Sequence, residues 1–104
     1  MKKNISIIGS GFSSLSAACY LAKAGHDVTV YEKNDMIGGR ARQFKAEGFT
    51  FDMGPSWYWM PDLFDSYFND FGKKTADFYK LTRLDPGYRI YFNEKECNCF
   101  SSRF

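Results

Sequence analysis

Residues 4–14 read Asn-Ile-Ser-Ile-Ile-Gly-Ser-Gly-Phe-Ser-Ser, an apolar run followed at once by two glycines. A β-branched run of this length, without strict alternation, is typical of a buried strand in a parallel sheet. Apolar residues then recur at helical spacing, which predicts a helix from residue 12 to about residue 24. A second strand is predicted over residues 27–31. Together these three elements form a βαβ-type unit.

The glycine turn between the first strand and the helix predicts a phosphate site. Glycine lets the backbone turn tightly and approach a pyrophosphate, because no Cβ stands in the way. The helix N-terminus adds N–H groups and the positive end of its dipole. Ser14 stands where this motif usually has glycine or alanine, and a small side chain there should cost little. The residues assigned to cofactor binding in this turn are Gly9, Ser10, Gly11, Phe12 and Ser13.

An acidic residue ends the second predicted strand. Glu32 lies 21 residues after Gly11, close to the spacing of about 20 for the acid that binds ribose hydroxyls. A carboxylate accepts hydrogen bonds from a ribose diol and repels a 2′-phosphate, so the pattern favours FAD or NAD over NADP. The alternative is a glycine-rich turn without a ligand. The predicted strand, the predicted helix and the spacing of the acid all argue against it.

A second glycine motif, Gly38-Gly39-Arg40, follows soon after the acid. A plain NAD-binding domain has no need for this turn, whereas a dinucleotide whose flavin end extends past the second strand does. Arg40 and Arg42 would neutralise a pyrophosphate or bind its oxygens in a fork. We therefore favour FAD over NAD. A common Gly-Gly turn followed by solvated arginines is the alternative. The residues assigned here are Lys33, Gly38, Gly39 and Arg40.

Over residues 4 to about 92, the chain resembles the FAD-dependent phytoene desaturase (phytoene dehydrogenase) family of the amine-oxidase-like flavoprotein superfamily. In that superfamily a dinucleotide fingerprint, a ribose glutamate and a Gly-Gly-Arg turn come in this order. Residues 48–58 read GFTFDMGPSWY and are similar to the segment with which bacterial-type phytoene desaturases approach the flavin ring. Residues 59–62 and 83–86 also look like this family. The resemblance implies flavin contacts at Gly54, Pro55 and Ser56.

The resemblance implies an FAD-dependent oxidoreductase of carotenoid biosynthesis, which desaturates an apolar polyene such as phytoene. In that chemistry a hydride passes to the flavin and a proton is lost, while the protein supplies orientation and electrostatics. The alternatives are an amine oxidase or carotenoid isomerase of the same superfamily, or a non-catalytic dinucleotide-binding fragment. No catalytic residue is assigned. Asp52, the acid nearest the expected flavin segment, is interpreted as structural.

A length of 104 residues allows one small domain at most. Members of the resembling family are several times longer, so we interpret residues 1–92 as the N-terminal portion of an incomplete FAD-binding domain. Residues 93–104 are an atypical tail, which suggests disorder or a truncated or frameshifted reading frame. The expected partner is the missing C-terminal part of the same protein. Because half a parallel sheet exposes strand edges and apolar faces, we expect the chain alone to be inactive.

The expected fold is α/β, a Rossmann-like FAD-binding unit followed by β-hairpins and an amphipathic helix. The first hairpin is predicted over residues 42–52, with its turn near residues 46–48. The helix is predicted over residues 60–71, with Pro61 in its first turn. The second hairpin should pair residues 80–84 with 88–92 around a type II turn.

Charge and composition exclude several functions. A net charge of +2 without a basic cluster argues against nucleic-acid binding. No apolar run reaches the roughly 18 residues of a membrane span, and the early glycines exclude a signal peptide. We expect a cytoplasmic protein with peripheral membrane contact. Cys19 should be a small buried apolar residue. Cys97 and Cys99 lack further ligands nearby, so no metal site is expected.

Overall fold

The computed structural model describes residues 1–54, 57–93 and 97–100. The chain divides into two compact units, Met1–Tyr58 and Trp59–Phe104.

The first unit begins with a parallel strand pair and one helix. Strand β1 spans Asn4–Ile8, helix α1 spans Phe12–Lys23 and strand β2 spans Asp27–Tyr31. The strands pair in parallel along their whole length, and α1 packs against both. The predicted βαβ-type unit is therefore confirmed, with the end of the helix one residue earlier than expected.

A short 3₁₀ turn at Gly39–Ala41 leads into an antiparallel hairpin. Strand β3 spans Gln43–Ala46 and strand β4 spans Phe49–Asp52, which confirms the predicted hairpin. Across it the rings of Phe44 and Phe51 stack with centroids 4.8 Å apart. Asp52 accepts a hydrogen bond of 3.0 Å from the Gln43 amide on the facing strand, in line with its structural interpretation.

The second unit contains the predicted amphipathic helix. Helix α2 spans Pro61–Asp70, and a 3₁₀ turn follows at Thr75–Asp77. One aromatic residue of α2, Phe68, packs against aromatic rings that follow the helix in the chain. The ring of Phe68 stacks on that of Phe78 with centroids 4.6 Å apart. Packing within the second unit therefore accounts for the position of Phe68.

The second hairpin differs from the expectation. Strand β5 spans Tyr88–Tyr91 and pairs with β6, Cys97–Phe100, in antiparallel register. The expected pairing with residues 80–84 is wrong, because those residues form no strand. Stacked rings of Tyr88 and Phe100, 4.7 Å apart, stabilise the observed register. Strand β6 lies inside the segment that the sequence marks as atypical.

Burial is low throughout the described residues. None of their hydrophobic side chains is fully buried, and the one buried polar residue is Ser10, which is 1% exposed. Ile8 and Tyr31, at the carboxyl ends of the parallel strands, are 80% and 56% exposed. Cys19 is also exposed, so its expected burial is wrong, because α1 has only a two-stranded sheet to pack against. In the described parts of the chain, neither helix is long and apolar enough to cross a membrane.

Candidate functional site

A cleft of about 800 Å³ lies in the first unit, where the carboxyl ends of β1 and β2 meet the Gly-Gly-Arg turn. Ligands of open α/β sheets bind at this end of the strands, and pockets of this size accommodate cofactors. The lining residues are Ile8, Gly9, Ser10, Gly11, Tyr31, Glu32, Lys33, Asn34, Gly39, Arg40, Arg42 and Met53.

The glycine turn forms one wall of the cleft. The Gly9 N–H donates a hydrogen bond of 2.7 Å to the Tyr31 carbonyl, which ties the turn to the end of β2. Gly11 is the N-cap of α1, where no side chain caps the helix and no acidic residue lies in the first turn. An ideal Cβ on Gly9 or Gly11 would meet nothing within 4 Å. The backbone here is open to an anion, and the helix N-terminus favours one.

The Glu32 carboxylate is held by four hydrogen bonds. Its Oε2 accepts from the Ser10 N–H at 2.8 Å and from the Ser10 hydroxyl at 2.6 Å. Its Oε1 accepts from the Asn34 N–H at 2.9 Å and from the Asn34 amide Nδ2 at 2.7 Å. The Ser10 hydroxyl, followed by the two backbone N–H groups, lowers the pKa of Glu32 to about 2. The carboxylate is therefore ionised at neutral pH.

The two glycine motifs contact each other. The Gly38 N–H donates a hydrogen bond of 2.8 Å to the Ser10 carbonyl. Gly39 has φ +61°, and an ideal Cβ there would lie 3.2 Å from the Gly11 Cα. Only glycine makes this approach without displacing the first turn. The sequence separates the motifs by almost thirty residues, and the structure joins them into one wall.

Gly54 has a packing role in this unit. An ideal Cβ on Gly54 would overlap the carbonyl oxygen of Arg40 and would lie 3.2 Å from the Ala41 Cα. The end of the β3–β4 hairpin therefore packs directly on the 3₁₀ turn that carries Arg40. Pro55 and Ser56, assigned with Gly54 to the flavin segment, lie outside the described residues.

Most of the assigned residues come together. Seven of them line the cleft, namely Gly9, Ser10, Gly11, Glu32, Lys33, Gly39 and Arg40. Phe12 and Ser13 form the first turn of α1 beside it, and Gly38 supports it through the backbone. Asn34, which also lines the cleft, was not predicted from the sequence. The sequence did place an asparagine two residues after Glu32, and asparagine side chains often form hydrogen bonds with groups a few residues away.

The residues present fit the adenosine diphosphate half of a dinucleotide. An ionised acceptor, Glu32, lines the cleft, and Arg40 and Arg42 supply cationic groups in the same lining. The Arg42 guanidinium lies 3.4 Å from the Gly39 carbonyl oxygen, which places it beside the glycine wall. A ribose diol suits the carboxylate, and a pyrophosphate suits the glycine turn and the guanidinium groups.

Comparison with known proteins identifies the family. Residues 7–71 match the model described as an NAD(P)-binding Rossmann-like domain. The chain belongs to this family. It is 54% identical over 92 residues to the carotenoid 3,4-desaturase of Haloarcula japonica, covering 88% of this chain and 19% of the relative. It is 44% identical over 92 residues to a 4,4'-diapophytoene desaturase (4,4'-diaponeurosporene-forming) of Staphylococcus haemolyticus, covering 88% and 18%.

These findings confirm both the fold class and the resemblance to the phytoene desaturase family. The chain spans about a fifth of the length of these curated relatives. Among solved structures, it is similar to the PF1083 protein from Pyrococcus furiosus, with a TM-score of 0.61 and 26% sequence identity. That match covers 97% of this chain and 24% of the other.

Proposed function

We propose that this chain supplies the ADP-binding part of an FAD-dependent oxidoreductase that desaturates an apolar polyene such as phytoene. The observation that carries the proposal is the joining of the two glycine motifs beside the ionised Glu32. The matched family model is described by NAD(P) and not by flavin. Two features favour FAD: the second glycine turn, which a plain NAD site does not need, and the similarity to carotenoid desaturases.

Each wall of the cleft has a role in this proposal. Glu32 binds the ribose hydroxyls of the adenosine. Gly9 and Gly11 let the turn bring the N-terminus of α1 close to the pyrophosphate. Arg40 and Arg42, which follow the second glycine motif, neutralise its charge. Lys33 and Gly38 complete the lining and its support, and Gly54, Pro55 and Ser56 approach the flavin ring as the family resemblance implies.

Bound FAD would supply a two-electron acceptor, and this chain's own residues would bind and orient it. The proposed parent protein holds its apolar substrate in a part that lies beyond residues 1–92, so we infer that the chain alone is inactive. A cytoplasmic location with peripheral membrane contact agrees with an apolar substrate. Proposed partners are therefore the polyene and the remaining part of the same protein.

A chimera tests the proposal. The 92 matched residues of this chain replace their counterparts in the Haloarcula japonica carotenoid 3,4-desaturase, and the purified product is examined for flavin absorbance and for desaturation of the carotenoid that this host enzyme accepts. We expect bound flavin and a desaturated product that absorbs at longer wavelength. Glu32→Gln should lower flavin content, because a neutral amide holds the ribose less well. Glu47→Gln, on the exposed hairpin turn, is the matched control and should retain flavin.

Each outcome separates the candidates. A colourless chimera that folds and that binds NAD instead would refute the FAD assignment. A chimera that binds flavin but forms no desaturated product would contradict the desaturase part of the proposal. Equal flavin loss in Glu32→Gln and Glu47→Gln would show that Glu32 has no specific role.

A further inference from the structure

The acceptor capacity of Glu32 is already filled by protein groups. An ionised carboxylate offers about four lone-pair positions, and four donors approach them at 2.6–2.9 Å. A ribose hydroxyl that binds Glu32 must therefore share or replace one of these donors. This competition for Glu32 matters because the proposed function makes Glu32 the ribose ligand.

The four donors are not equivalent. Two are backbone N–H groups, whose positions are set by the turn itself. The Ser10 hydroxyl belongs to a residue that is 1% exposed, so it cannot turn out into the cleft without opening the wall. The Asn34 amide is different, because Asn34 is half-buried and lines the cleft on the loop after β2. Its side chain is the donor that a ligand entering the cleft can displace most easily.

We propose that Asn34 is a specificity-determining residue whose side-chain amide occupies the ribose position on Glu32 Oε1 and is exchanged for a ribose hydroxyl. Ser10 is the positioning residue that holds Oε2 throughout. The inference rests on the proposed function, because it requires adenosine to bind at this cleft. When a ligand lacks the ribose hydroxyls, the Asn34 amide stays in place and leaves no acceptor unpaired.

This exchange predicts an unusual pattern of selectivity. An acceptor that a bound ligand closes off from water is costly to leave without its partner, and sites built around one ordinarily reject ligands that lack the hydroxyl. With Asn34 present, ADP and 2′,3′-dideoxy-ADP should bind within about threefold of each other, since the amide replaces the lost hydroxyls. In Asn34→Ala, the preference for ADP should rise to about tenfold or more, while the affinity for ADP itself does not fall.

The test uses the full 104-residue chain with ADP and 2′,3′-dideoxy-ADP as probes, measured by calorimetric or NMR titration. Asn4→Ala is the matched control, since Asn4 lies on β1 away from the cleft lining and should behave as wild type. A purely structural role for Asn34 gives the opposite result. It predicts weaker binding of both nucleotides in Asn34→Ala with an unchanged ratio, and that result would overturn the inference.

A second readout needs no ligand. In the free chain, the side-chain carboxyl of Glu32, followed by ¹³C NMR, should titrate near pH 2. Ser10→Ala should raise the pKa of Glu32 more than Asn34→Ala does. Among the hydrogen bonds that lower this pKa, the one from the Ser10 hydroxyl has the largest effect and the one from the Asn34 amide the smallest. Wild-type titration near the ordinary value of 4.5 would show that the hydrogen-bonded arrangement does not exist. Failure of every variant to bind ADP would overturn the proposed function and this inference together, whereas binding with an unchanged ratio overturns the inference alone.

Discussion

Gly39→Ala tests whether the contact between the two glycine motifs requires glycine at position 39. Alanine in the left-handed region, where Gly39 has φ +61°, costs about 1–2 kcal/mol. The new Cβ would also lie 3.2 Å from the Gly11 Cα, closer than an ordinary van der Waals contact. A change of this size should increase local opening of the turn by a factor of about 5–30.

Hydrogen exchange at the Gly38 amide measures this opening. That N–H donates to the Ser10 carbonyl at 2.8 Å, so its protection reports whether the two motifs are joined. Gly48→Ala is the control, since Gly48 has φ +83° and an ideal Cβ there meets nothing within 4 Å. Alanine at residue 48 would have the same unfavourable left-handed backbone conformation, but it would make no close contact with another part of the chain. Residue 48 lies at the tip of the β3–β4 hairpin. The effect of Gly48→Ala should remain within that hairpin.

Two results would refute this reasoning. One is a change in Gly38 protection of less than about twofold in Gly39→Ala, after correction for intrinsic exchange, which would mean that the turn opens independently of residue 39. The other is an equal loss of protection in Gly48→Ala. That result would attribute the effect to general destabilisation of the unit.

Three further predictions concern stability. The pKa of Glu32 is about 2 in the folded chain, below its ordinary value of 4.5. The stabilisation that the ionised carboxylate provides is therefore fully present above pH 4.5 and is lost as the pH falls through 2. Glu32→Gln should remove this part of the pH dependence of unfolding, measured by circular dichroism. Phe68→Ala should reduce the helical signal of α2 and destabilise the second unit by about 1 kcal/mol or more, since it removes the stack with Phe78; an unchanged helical signal would contradict the packing. Lys2→Ala should change the free energy of unfolding by less than about 0.5 kcal/mol, because the ion pair with Asp27 is exposed; a larger loss would show that this pair fixes the start of β1.

The parallel unit could be predicted from the sequence because its signals are local. The apolar run of β1, the helical spacing of α1 and the turn chemistry between them each act within a few residues. The position of Glu32 could be predicted from its spacing alone. Strand β2 pairs with β1 in parallel, so the residue after β2 lies at the same edge of the sheet as the glycine turn after β1. The β3–β4 hairpin was predicted for a similar reason, because its turn residues lie next to the strands they connect.

Other features depend on contacts that no local pattern specifies. The pairing of β5 with Cys97–Phe100 joins a predicted strand to a segment without periodicity, and cross-strand stacking of Tyr88 on Phe100 stabilises it. The hydrogen bonds of Asn34 depend on the local geometry around the Glu32 carboxylate. The packing of Gly54 on the Arg40 carbonyl depends on how a hairpin folds back onto a turn, which spacing does not reveal.

The cleft is held by hydrogen bonds and close backbone contacts rather than by a hydrophobic core. In the described residues, Ser10 is buried while hydrophobic side chains are not, and Ile8 at the end of β1 is 80% exposed. Burial of apolar surface is the main stabilising contribution to folded domains. The geometry of the cleft is therefore specified locally in this chain, whereas its stability would increase with any surface that covers β1 and β2. A ligand that binds only the folded form would also increase this stability, so ADP should increase amide protection in β1 and β2 as well as in the cleft. Protection confined to the cleft residues would show that the site is rigid without the sheet.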